Sequence, residues 1–103
     1  GDMGTGSYVC AGTNTALEKT FGSCCHGAGR MMSRTAASKG ANANDLLREL
    51  GERGIVVMAR SKKTLTEESP NAYKDIDAVA DVVSKSGIGR LVARIRPVGV
   101  IKG

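Results

Sequence analysis

Fourteen glycines among 103 residues, about twice the usual share of roughly 7%, limit this chain more than any other feature. Each glycine gives up extra backbone freedom on folding and weakens the middle of helices and strands. Long elements are therefore not expected. Eight of the fourteen fall in residues 1–45, a density tolerated where backbone must pass close to a ligand. Large rings cannot compensate in the core, because aromatic residues make up 3% and Trp is absent. Burial falls to Val, Ile, Leu, Met and Ala.

At roughly 100–200 residues per domain, the chain is one domain at most. A chain of this size hides only about 60–70% of the surface its unfolded form exposes, so its stability margin is thin. The first residue is Gly1 and no Met precedes it, so a processed chain or a piece of a longer one is expected. The longest apolar run, Ile55–Ala59, is far short of the roughly 20 residues that cross a bilayer. No membrane partner is expected, and no charged-then-apolar start suggests a secretory signal. Three cysteines, with Cys24 and Cys25 adjacent, argue against a disulfide framework and for a reducing cytoplasm. The net charge of +5 permits a polyanionic partner but discriminates weakly.

Period and punctuation predict an α+β arrangement of mixed helices and short strands. A strand is expected over Ser7–Gly12, then a helix capped by Thr13 or Asn14 and stopped by Gly22. A second helix is expected from Ala28 to about Ser38, carrying Arg30 and Arg34 one turn apart. Asn42 or Asn44 caps a third, with Leu46, Leu47 and Leu50 on one face, and Gly54 ends it. Ile55–Ala59 reads as a buried strand, and Pro70 blocks continuation through the next loop. Asp75 or Asp77 begins a helix with Ile76, Val79, Ala80 and Val83 on one stripe, closed by Gly87 and Gly89. Leu91–Ile101 reads as one extended segment in which Pro97 marks an edge or a bulge.

Chemistry is concentrated in Gly22–Arg30. The spacing of Gly22 and Gly27 imitates a P-loop, but Ala28 and Gly29 stand where Lys and Ser or Thr are required. Met32 likewise breaks the dinucleotide fingerprint. What remains is a glycine-rich turn feeding a helix N-terminus, a place that favours anions, with His26 at its mouth. Two solvated arginines on an ordinary helix are the plainer alternative. Zinc is disfavoured, because consecutive Cys24, Cys25 and His26 cannot wrap a tetrahedral ion. Gly1–Ser7 is a plausible wall for a flat ligand or a frayed end. Lys102 either solvates a chain end or is led into a site.

The segments Gly1–Tyr8, Glu18–Arg34, Tyr73–Asp75 and Val92–Gly103 closely resemble the C-terminal part of the RtcB family of RNA ligases. The resemblance covers essentially the whole chain and is most specific around His26. It implies that residues 1–103 are a C-terminal segment of a larger catalytic domain with the RtcB-type fold, beginning one residue inside a motif. It further implies a ligase that uses GTP and manganese to join RNA 2′,3′-cyclic phosphate or 3′-phosphate ends to 5′-hydroxyl ends, in tRNA splicing and RNA repair. His26 matches the histidine that becomes linked to GMP. By the same resemblance Gly1, Asp2, Met3 and Ser7 line the guanylate pocket, and Gly27, Ala28 and Gly29 run past the nucleotide. Tyr73 lies near the base, Lys102 contacts guanine, and Arg30 and Arg34 meet RNA or pyrophosphate oxygens. No manganese ligand matches a residue of this chain. The implied partners are tRNA halves, the remainder of the ligase chain and an archease-type activator. Without the metal the segment alone is expected to be inactive. Two other readings compete: a non-catalytic basic RNA-binding module, and a redox or zinc module built on Cys24 and Cys25.

Overall fold

Two small sheets and five short helices make up the structure, a computed structural model describing residues 1–103. Strand β1 (Ser7–Gly12) pairs antiparallel with β3 (Gly89–Ile95), Ser7 opposite Ile95 and Gly12 opposite Gly89, with an irregularity between Val9 and Cys10. Strand β2 (Val56–Ala59) pairs in parallel with β4 (Gly99–Lys102), Val56 opposite Gly99 and Ala59 opposite Lys102. The arrangement is α+β, as expected.

Helix α1 (Asn14–Thr20) begins where the Thr13 hydroxyl accepts from the Ala16 N–H at 3.1 Å. Helix α3 (Ala43–Glu52) is capped by Asn42, whose side-chain oxygen accepts from Asn44 and Asp45. Its buried residues Ala43, Leu46 and Leu50 follow helical spacing, and they join Met3, Ile55 and Leu65 in the main core. Helix α5 (Ile76–Lys85) is capped by Asp75 and buries Ile76, Ala80 and Val83 of the expected stripe, with Val79 only half-buried. It lies so close to β3 that a Cβ on Gly89 would stand 2.7 Å from Val83 Cγ1.

Several expectations fail for identifiable reasons. Residues 28–33 are not helical, and α2 spans only Arg34–Gly40, capped by Ser33. Gly29 takes φ +78, which ends any helix there, and the flanking backbone bonds elsewhere: the Gly29 carbonyl accepts from Lys74 and the Met31 N–H donates to Ala72. Arg30 therefore precedes α2 rather than sharing a helix with Arg34. Leu47 is 38% exposed, because it sits off the stripe set by Leu46 and Leu50. Ile55 is buried, but the strand after it alternates, with Val56 and Met58 exposed. Helix α4 (Lys62–Glu67), capped by Ser61, and the short 3-10 turn Pro70–Ala72 were not foreseen. The expected single segment Leu91–Ile101 is two strands in different sheets, with Pro97 between them, and Gly89 belongs to β3 rather than closing α5.

Candidate functional site

The first residues are not frayed. Asp2 Oδ1 accepts from the N–H groups of Gly4 and Thr5 at 2.7 and 3.0 Å, and Oδ2 accepts from the Thr5 hydroxyl at 2.6 Å. The Arg53 guanidinium donates to the Gly4 carbonyl. With the turn held this way, the Met3 side chain enters the core at 1% exposure. The outer side of the turn becomes a wall. Gly1, Asp2, Met3, Ser7 and Lys102 all border one cavity of about 380 Å³, closed by the Arg96–Val100 stretch. Opposite ends of the chain thus face one space.

Lys102 is brought there by β4. It pairs with Ala59, and its carbonyl accepts from the Arg60 N–H at 3.0 Å. Its ammonium lies 3.9 Å from Glu68 Oε2. Glu68, just past α4, is the residue that sequence reasoning missed. Oε2 also accepts from the Tyr73 hydroxyl, while Oε1 meets Arg30 Nη1 at 3.3 Å and Arg34 Nε at 3.4 Å. Burial pushes this carboxyl up, but the Tyr73 hydrogen bond and the charges of Lys102, Arg30 and Arg34 outweigh it and hold it below its ordinary range. Tyr73 is shifted the other way, raised by burial and by its bond to Glu68.

Arg30 uses its fork inside the chain. Nη2 donates to the Glu67 carbonyl at 2.6 Å, Nε to the Met32 carbonyl at 3.1 Å and Nη1 to the Tyr73 hydroxyl at 3.2 Å. Its guanidinium carbon also stands 5.0 Å from the Tyr73 ring centroid, within cation–π range. Arg34 instead keeps a side chain that is 66% exposed, with donors available to an external anion.

His26 is exposed and borders a second, smaller cavity of about 80 Å³ with Tyr8, Cys10, Cys24, Cys25 and Gly27. Ser7 and Tyr8 are consecutive on β1, so their side chains point to opposite faces. His26 and Gly27 border this second cavity and not the one that Lys102 borders. Tyr8 is fixed at the rim by donating to Asp77 at 2.7 Å, and Arg94 holds the same carboxylate at 2.8 and 3.1 Å. After His26, Ala28 is buried, and Gly29–Met31 runs beside Ala72–Lys74 with Arg30 bridged to Tyr73. Because this stretch is not helical, the expected helix N-terminus beside His26 is absent, and no helix dipole acts on an anion there. The cysteines are free and exposed, and desolvation together with neighbouring Cys24 raises the Cys25 thiol. No three His, Cys, Asp or Glu side chains are grouped as a cation would need. Manganese does not fit the residues present.

The family model described as "tRNA-splicing ligase RtcB" matches residues 1–103. Curated relatives carrying that same name match the whole chain, with 54% identity to the protein from Pyrococcus abyssi, 53% to that from Methanopyrus kandleri and 52% to that from Archaeoglobus fulgidus. The chain covers 11%, 10% and 21% of those relatives respectively. It thus spans between about a tenth and about a fifth of their length.

Proposed function

Because the chain belongs to the RtcB family, we propose that it supplies the nucleophile and the guanine-facing wall of a GTP-dependent RNA ligase. The observation carrying this reading is the cavity shared by Gly1, Asp2, Met3, Ser7 and Lys102. The family resemblance implies a guanylate role for those five residues, which come from opposite ends of the sequence. An ammonium at such a cavity suits the O6 acceptor of guanine and not the amino donor of adenine, a difference worth roughly 1–3 kcal/mol. Arg34 offers a planar fork to phosphate oxygens.

In this reading a neutral His26 nitrogen attacks the α-phosphorus of GTP, an N–P bond forms, and pyrophosphate leaves. The GMP then passes to an RNA 3′-phosphate and is displaced by a 5′-hydroxyl, as in tRNA splicing and RNA repair. The nucleotide has to span the start of β1, where Ser7 borders one cavity and Tyr8 the other. The manganese of the family we assign to ligands in the remainder of a longer protein. Without that metal to neutralise the triphosphate, these residues alone should be poor at the first step.

The test compares three preparations given labelled GTP, manganese and a pair of RNAs ending in 2′,3′-cyclic phosphate and 5′-hydroxyl. The full-length protein carrying this sequence should join the RNAs, and its His26→Ala variant should not. The 103-residue chain alone should take up no label. Joining by the variant would favour a non-catalytic RNA-binding role for this segment, and robust labelling of the isolated chain would overturn its dependence on the rest.

A further inference from the structure

We propose that Glu68 is a positioning residue for guanine selection, holding the Lys102 ammonium at its cavity through the same carboxylate that gathers Arg30, Arg34 and Tyr73. The inference rests on the reading above and deepens it. Lys102 lies on a four-residue strand, and a flexible four-carbon stem gives its head no fixed place. Glu68 is the acid within ion-pair reach of it, at 3.9 Å, with a side chain only 15% exposed. The two oxygens divide their partners: both arginines lie on Oε1, while the Tyr73 hydroxyl and Lys102 lie on Oε2. One planar group therefore fixes the angle between the base-facing ammonium and the anion-facing guanidinium of Arg34. Glu68 does not border the Lys102 cavity, and protein donors occupy both of its oxygens. It acts through its neighbours and does not touch the nucleotide.

Charge strengthens the geometry. Three cations converge on one carboxylate, so removing its charge leaves like charges to separate, and Lys102 is the most loosely tethered. The adjacent Glu67 cannot replace it, because its carboxylate pairs with Lys63 at 3.7 Å.

The experiment uses the full-length protein and measures formation of the His26 adduct from GTP and from ATP. Glu68→Gln, which keeps the shape and loses the charge, should raise KM for GTP about tenfold with kcat within about twofold, and should lower the GTP-over-ATP preference by about the same tenfold. Lys102→Ala should reproduce the loss of preference, and the double variant should be no worse than Lys102→Ala, the signature of one residue acting through the other. Should Glu68→Gln fail to fold, Glu68→Asp keeps the charge but withdraws it, and it should shift KM and preference in the same direction. Unchanged preference in a folded Glu68 variant, or additive losses in the double variant, would overturn the proposal. A wild-type protein that forms no adduct would instead overturn the ligase reading beneath it.

Discussion

One carboxylate, that of Glu68, holds Arg30 and Arg34 on Oε1 and Tyr73 and Lys102 on Oε2. Its partners Arg30, Arg34 and Lys102 lie some 34 to 38 positions away on either side, and the only local sign was a Glu67–Glu68 pair in a basic chain. The guanylate roles of Gly1, Asp2, Met3, Ser7 and Lys102 rest on the family resemblance, because a glycine-rich start and a lone lysine are by themselves equally compatible with a frayed end and a solvated side chain. The hub makes a definite pH prediction. A carboxyl held below its ordinary range contributes stability that is present at neutral pH and lost as pH falls through its folded value. Tyr73, raised by burial and by Glu68, contributes below the usual phenol range and loses its bond only as alkali titrates it through its raised value. Wild-type melting temperature should therefore fall in acid more steeply than that of Glu68→Gln, and parallel curves would contradict the assignment. Arg30→Lys should lower stability by about 1–3 kcal/mol, because one ammonium cannot serve the three oxygens around the fork and the Glu68 carboxylate together. Denaturant unfolding checks that figure.

Among the elements, legibility followed how local the cause was. Helices α3 and α5 were readable because cap and apolar stripe lie within ten residues of each other. The misread helix at residues 28–33 had suitable side chains, but Gly29 at φ +78 and the pairing with Ala72–Lys74 decided its backbone. That pairing brings Arg30 to Tyr73, so the failed expectation falls where the candidate site is assembled. Helix α4 was missed because its Ser61 cap precedes a stretch with little apolar periodicity. The contact of α5 with β3 yields another prediction. Gly89→Ala puts a methyl 2.7 Å from Val83 Cγ1, and overpacking of this kind should cost about 1–3 kcal/mol. Adding Val83→Ala should recover part of the loss, and a neutral Gly89→Ala would show that the two elements separate easily.

At the scale of the molecule, the fold hides little. Only 18 of 103 residues are buried, and Val56, Met58, Val98, Ile101 and Phe21 are all more than half exposed. The radius of gyration is 15.3 Å, against about 13 Å for an ordinary domain of 100 residues. Each sheet has two strands, too few for independent stability without further packing. The isolated chain should therefore self-associate or become ordered only with additional protein, and a monodisperse, cooperatively unfolding monomer in sedimentation and melting experiments would contradict this. No helix is long and apolar enough to cross a membrane. Peptide mass mapping of the full-length protein after incubation with GTP and manganese shows whether His26 takes the guanylate. One guanylyl group is expected on the peptide containing His26 and none in His26→Ala; an adduct on another residue, or one that persists in that variant, would contradict the assignment.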